Sequence, residues 1–260
     1  KTKKLPVPQN GEIRLDHVSF QYEAGVKALD DVSLTIRPGT VTALVGESGG
    51  GKSTVANLIA RFWDVSEGSV TVGGVDVRKL DYADLMKHIS IVFQDTNLFK
   101  MSVAENVAMY KPGASREEIM EVLRQAQCED ILEKLPNGVD SVIGARGVYL
   151  SGGEMQRIAL ARAILKDAPI VLLDEATAFA DAENEYLIQR ALDILLHGKT
   201  VLMIAHRLQT IVHADQIIVM QRGGIAEQGT HEELMQRQGV YAKMYHEYEN
   251  SVSWKIGGWA

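Results

Sequence analysis

Apolar residues along this chain follow two different spacings, and the switches between them mark out its elements. EIRLDHVSFQY and LDDVSLTI, near the start, mix apolar and polar positions in short runs and predict a pair of antiparallel strands. VTALV (41–45) and IVLL (170–173) are unbroken apolar runs, the pattern of strands buried on both faces in a parallel sheet. VANLIARF, after the first of these runs, has helical spacing, as does MQRIALARAIL, where Ile158, Ala161 and Leu165 fall three or four residues apart. Between them come a strand VTV with a Gly73-Gly74 turn, a short helix capped by Asp81, and a strand ISIVF. The interval from about Asn97 to Gly147 is largely helical and carries no strand signal, with a capping box from Ser115 to Glu118 and amphipathic stretches EIMEVLRQA and EDILEKL. After Glu175 helix and strand alternate to Gln228, and Thr230 to Glu233 forms another capping box before the terminal helices. The order predicts an α/β fold: an antiparallel β-subdomain, an α/β core, and an inserted helical subdomain.

Chemistry enters at the turn after VTALV. Gly46-Glu47-Ser48-Gly49-Gly50-Gly51-Lys52-Ser53-Thr54 is a G-x-x-x-x-G-K-[ST] loop between a strand pattern and a helical one, the context that makes it a phosphate-binding loop of the P-loop NTPase type. Its glycines let backbone N–H groups approach a polyphosphate, and the following helix turns its positive end toward the same anion. Lys52 is expected to reach the β- and γ-phosphates of ATP, and Ser53 to ligate Mg²⁺. Ile170 to Leu173 ends in Asp174 and Glu175, two carboxylates delivered to a strand's C-terminal edge, where ligands of such sheets lie. Asp174 is the expected Mg²⁺ partner and Glu175 the expected general base for an attacking water. A third segment, Leu150-Ser151-Gly152-Gly153-Glu154, opens the helix MQRIALARAIL and forms a second potential anion site.

With these three motifs the chain resembles the ATP-binding cassette (ABC) ATPases over nearly its whole length; their signature is LSGGQ followed by a helix containing QR. The resemblance implies ATP hydrolysis by a head-to-tail dimer. In that arrangement the signature of one subunit, here Ser151, Gly152, Gly153 and Glu154, closes over the nucleotide held by the phosphate loop of the other. Carried over position by position, it makes Tyr22 the aromatic residue that stacks on adenine, and Gln94 the glutamine that reaches Mg²⁺ and the attacking water. His206 becomes the switch histidine at the γ-phosphate, and Asp181 the aspartate that crosses to the partner's site. The helical interval, about 97–165, corresponds to the family's helical subdomain, and apolar residues near Leu98, Phe99 and Val103 are expected at its surface as part of a coupling helix.

NGEIRLDHVSFQY, FKMSVAENV and IAHRLQTI are similar to segments of exporters that fuse a six-helix membrane domain to the ATPase. DEATAFADAENE, with Phe179-Ala180 where Ala-Leu is usual, is similar to subunits of siderophore uptake that use an exporter-like fold for import. The implied partners are a second ABC ATPase domain, identical or different, and a transmembrane domain at the cytoplasmic face of a membrane. Three positions depart from the pattern: Glu154 for the signature glutamine, Ala145 for a usual glutamate, and Phe179-Ala180 beside Asp181. Glu154 adds a negative charge near a phosphate site, to be screened by solvent or a nearby arginine.

Composition narrows the picture further. The 260 residues, 46% hydrophobic and 23% charged, suffice for a substantial core. A net charge of −7 argues against nucleic-acid binding, and the absence of heptads or an internal repeat argues against soluble repair and translation ATPases, the competing class. Cys128 is the sole cysteine, so no intrachain disulfide forms, and its helical setting marks a buried filler. No run reaches the length of a membrane span. Lys1, Lys3 and Lys4 followed by Pro6 and Pro8 read either as a linker (1–11) from a transmembrane helix or as a frayed terminus, ahead of an ATPase domain at 12–248 and a tail at 249–260. The tail SVSWKIGGWA suggests no function.

Overall fold

The computed structural model describes residue 8 and residues 10–93, 98–144, 148–175 and 182–257, the side chains of 254–257 excepted. The chain forms two compact units, Lys1–Lys87 with Thr200–Ala260, and His88–Lys199. In the first, β1 (Ile13–Glu23) pairs antiparallel with β2 (Val26–Ile36), setting Ile13 opposite Ile36, Leu15 opposite Leu34 and Phe20 opposite Leu29. These apolar pairs are buried, which fixes the register, since a one-residue slip would turn every one of them outward. β3 (Val41–Gly46) leads through the phosphate loop into α1 (Lys52–Ile59). β4 (Glu67–Val72) returns antiparallel to β1 and turns at Gly73-Gly74 into β5 (Val75–Asp76), completing a sheet of order β2-β1-β4-β5. The Asp81 carboxylate accepts the Ala83 N–H at 2.9 Å and opens α2 (Tyr82–Lys87), as its position in the sequence predicts.

The second unit begins with β6 (Ile89–Val92) and continues through α3 (Val103–Val107), α4 (Arg116–Gln125), α5 (Glu129–Lys134) and α6 (Gly152–Lys166). β7 (Ile170–Asp174) then lies parallel to β6, Ile89 beside Ile170 and Val92 beside Leu173, and α7 (Ala182–Leu196) follows. α6 is the axis of this unit: it touches α3, α4, α7 and β6. A helix contacted on that many sides needs apolar residues around most of its circumference, and Ile158, Leu160, Ala161 and Leu165 are all buried. The Ser115–Glu118 capping box forms as expected, and Ser102–Glu105 and Ser151–Glu154 form two more. One of these corrects the sequence reading of the apolar surface residues. Phe99 is 48% exposed, but Leu98 is only partly exposed and Val103 is fully buried. Ser102 caps α3, so Val103 becomes the first helical residue and its side chain turns inward.

Back in the first unit, β8 (Thr200–Ile204) and β9 (Gln216–Gln221) lie parallel to β3 on either side, and β10 (Gly224–Gly229) pairs antiparallel with β9, giving the order β10-β9-β3-β8. β3 is central in this group, and Ala43, Leu44 and Val45 are buried on both faces, as VTALV predicts. Thr230 Oγ1 accepts the Glu233 N–H at 3.3 Å to start α8 (His231–Arg237). α9 (Val240–Gly257) closes the described chain and carries the residues SVSWKIG as continuous helix. No helix among the described residues is long and apolar enough to cross a membrane.

Candidate functional site

β3 ends where its last residue must leave the sheet sharply. Gly46 has φ +140°, and a Cβ there would stand 2.2 Å from the Met220 carbonyl oxygen, so no other residue fits that approach. The loop is anchored from behind: the Gly50 N–H donates to the Glu47 carbonyl and the Gly50 carbonyl accepts the Gly223 N–H, both at 3.1 Å. Gly51, at φ +102°, is the N-cap of α1, with no side-chain cap and no acidic residue in the first turn. α3, α4, α6 and α8 instead carry serine or threonine caps and first-turn glutamates. α1 thus has neither a capping side chain nor a first-turn carboxylate to offset its positive end, an arrangement suited to an external anion. The Lys52 ammonium donates to the Gly46 carbonyl at 2.5 Å, folded over the loop where phosphate oxygens would compete for it.

These groups border a cavity of about 980 Å³ lined by Gly46, Ser48, Gly49, Gly51, Lys52, Ser53, Thr54, Tyr22 and His206. Gly50 is buried behind them. Tyr22, 44% exposed, is braced on its other sides: its hydroxyl lies 3.1 Å from Thr54 Oγ1 and accepts from Asn57 Nδ2 at 3.2 Å. Phe20 and Trp63 meet its ring edge-on at centroid distances of 4.7 and 5.4 Å. A ring held this way offers a flat surface at little further entropic cost, which suits stacking on a base. His206 follows β8 and is exposed toward the cavity. One face of α9, through Val240, Lys243, Met244, Glu247 and Tyr248, forms another wall, and Tyr248 donates from its hydroxyl to Gln209 Oε1, just beyond His206. Sequence reading did not assign α9 to the site, although the three- and four-residue spacing of those positions is a helix face.

In the second unit Asp174 ends β7 and Glu175 follows at 7% exposure. The signature residues form the start of α6: Ser151 Oγ accepts the Glu154 N–H at 3.2 Å, and a Glu154 carboxylate oxygen accepts the Ser151 N–H at 2.9 Å. Glu154 is 8% exposed and ion-paired with Lys134, so the compensating cation is a lysine on α5 and not an arginine. Burial pushes its carboxyl up, but Lys134 and the two Ser151 bonds together outweigh this and hold it below its ordinary value. One turn along, Arg157 is 1% exposed and donates to the Gln127 carbonyl at 2.5 Å, to both Asp130 oxygens at 2.7 and 3.0 Å, and to Asn184 Oδ1 at 3.1 Å. Asn184 also closes on the signature from α7, since a Cβ on Gly153 would meet its Cγ at 3.1 Å. Lys134, Asp130 and Asn184 were not found from sequence, because their pairing with α6 spans 20 or more residues and leaves no local pattern. Gln94, Ala145, Phe179, Ala180 and Asp181 lie outside the described residues.

Comparison with known proteins bears on the family and the fold. Residues 29–178 match the ABC transporter family. The chain is 53% identical over 235 residues to the mycobactin import ATP-binding/permease protein IrtA of Mycolicibacterium thermoresistibile, covering 90% of this chain and 26% of that protein. It is 48% identical over 235 residues to the ATP-dependent lipid A-core flippase of Legionella pneumophila strain Lens, covering 90% of this chain and 40% of the flippase. A solved bacterial Atm1-family ABC exporter with ATP bound superposes with a TM-score of 0.86 at 38% identity, over 95% of this chain and 43% of that one. The chain therefore spans well under half the length of these relatives. The loop geometry, the α/β P-loop fold and the family match together lead to one conclusion: the chain belongs to the ABC transporter family, as an ATPase domain of the exporter type.

Proposed function

We propose that this domain binds and hydrolyses ATP in a head-to-tail dimer with a second ABC ATPase domain, and drives the movement of a transmembrane domain at the cytoplasmic face of a membrane. The observation that carries this reading is the cavity of the first unit, where an uncapped helix N-terminus, Lys52, a braced Tyr22 and His206 converge. Tyr22 stacks on adenine, the loop N–H groups and Lys52 hold the phosphates, and His206 contacts the γ-phosphate. Glu175 accepts a proton from the attacking water, and its burial suits a base shielded from bulk solvent. Ser151 and Gly153 of the partner close the site, and Asp181 crosses the interface.

Ser53, Gln94 and Asp174 are the candidate Mg²⁺ ligands. A hydroxyl, an amide oxygen and a carboxylate are hard oxygen donors, the chemistry that suits Mg²⁺ bound together with substrate phosphates. Those side chains would hold Mg²⁺ beside the bound phosphates, where the ion would supply positive charge against the negative charge of the reacting phosphoryl group. Residues 1–11 are assigned as the linker from the membrane domain and 12–248 as the ATPase domain.

Relatives named for mycobactin import and for lipid A-core flipping share 53% and 48% identity with this chain, so identity alone does not choose a direction of transport. Import by an exporter-type architecture is the second reading, supported by the name of the 53% identical relative.

The test is the mass of Glu175→Gln in solution with and without Mg-ATP, by light scattering. An ATP-dependent dimer that turns over very slowly is expected, and turnover near that of the parent protein would count against Glu175 as the base. Lys52→Ala should lose ATP binding, and retained tight binding would contradict the cradle.

A further inference from the structure

We propose that Lys134 is a positioning residue of the signature site: its ammonium neutralises Glu154 and holds the Ser151–Gly153 turn ready for the γ-phosphate of ATP bound by the partner domain. The proposal rests on the ABC dimer reading and adds to it a residue from outside the motif. The start of α6 attracts negative charge through its N-terminal donors. Glu154 already places a carboxylate there, 8% exposed, returning one bond to Ser151 N–H. A second anion, the incoming phosphate, would be repelled by that carboxylate unless a cation offsets it. Lys134 reaches it from α5.

The pairing is built into the fold and is not a chance meeting of surface chains. α5 carries Asp130 and Lys134 four residues apart, and α6 carries Glu154 and Arg157 three apart. Asp130 pairs with Arg157 and Lys134 with Glu154, an order that requires the two segments to run in opposite directions where they meet. Each segment thus presents an acid and a base in the sequence that matches the other, and reversing or sliding either one would oppose like charges. Arg157, buried and bonded to the Gln127 carbonyl at the entry to α5, fixes the height at which Lys134 arrives. A glutamine at position 154 would close the same capping box without charge and would need no such partner.

The experiment measures steady-state Mg-ATP turnover of the full chain, ATP binding to dilute monomeric protein without Mg²⁺, and thermal melting, for the parent and for variants at 134 and 154. Lys134→Met is expected to lower kcat about tenfold while ATP binding to the unpartnered domain changes less than about twofold, since the phosphate loop is untouched. Lys134→Arg should recover most of the loss. So should the double variant Lys134→Met with Glu154→Gln, which removes the charge that needed neutralising. A merely structural role would lower the melting temperature together with kcat, whereas a positioning role lowers kcat in a protein that still melts near the parent temperature. If Lys134→Met melts early, Lys134→Gln replaces it, with the same loss and the same rescue expected. A parent that turns over ATP with an equally active Lys134→Met, or a double variant as impaired as the single one, overturns the inference alone. A parent without any ATP turnover overturns the ATPase reading and the inference together.

Discussion

Replacing Arg157 by Met tests whether the signature helix is held by its buried guanidinium or by apolar packing alone. Met retains most of the side-chain volume, so the change isolates the polar contacts. Two partly buried acceptors, the Gln127 carbonyl and Asn184 Oδ1, lose a charged donor. At about 1.5 kcal/mol each this totals about 3 kcal/mol. Arg157 Nε has no partner among the described residues, and removing that buried donor returns about 1 kcal/mol. Asp130 is 58% exposed at its side chain and regains water, so its ion pair adds little. The net loss is about 2 kcal/mol, which for a chain of this size lowers Tm by about 4–8 °C. Asp130→Asn should cost under about 1 kcal/mol, because only the exposed end of the network is altered. Calorimetry or urea titration of the two variants decides the matter. Equal, small shifts for both would refute the argument and leave apolar packing as what holds the helix.

Other expectations follow from single observations. Cys128 is buried and its thiol is pushed up to about 12 by burial, despite nearby Arg157, so a thiol reagent near neutral pH should label it only as fast as the protein unfolds. Gly51→Ala forces a side chain to φ +102° with its Cβ 2.7 Å from Leu29 Cδ2. It should destabilise the domain by about 2–3 kcal/mol and weaken ATP binding in an equilibrium titration. The Glu154 carboxyl is held below its ordinary value of 4.5, so the stability it contributes is present above that value and lost as pH falls through the folded one. The urea midpoint difference between the parent and Glu154→Gln should therefore stay constant from about pH 8 to about pH 5 and shrink in more acid solution.

What the sequence made legible was local. The glycines of the phosphate loop, Lys52 and Ser53 lie within a few residues between a buried strand and a helix, so a short window contains both the motif and its context. Ser115 and Glu118 could be read as a capping box for the same reason. Val103 was legible in principle, since Ser102 and Glu105 form the same spaced pair, but its apolar neighbours Leu98 and Phe99 suggested a surface patch. Arg157 reads in the sequence as a polar residue on an amphipathic helix. Its burial arises because Asp130 and Asn184, each 27 residues away, converge on it, and hydrophobic periodicity carries no trace of that. Tyr22 follows the same rule: its position before the phosphate loop is visible, whereas its bracing by Asn57 and Trp63 depends on how β1 lies beside α1.

Glu154 joins the local rule to the distant one. As the third helical residue it completes a capping box, a task that glutamate and glutamine perform equally well, so the cap alone does not explain which of the two stands there. They differ in charge, and charge is the property Lys134 answers from α5. If that is the reason for the lysine, the two positions cannot vary independently. Relatives with glutamate at the position of Glu154 should carry a base at that of Lys134, and relatives with glutamine should show no such preference. An alignment in which the base occurs equally often with either residue would separate the ion pair from the signature and leave Lys134 as a contributor to stability only.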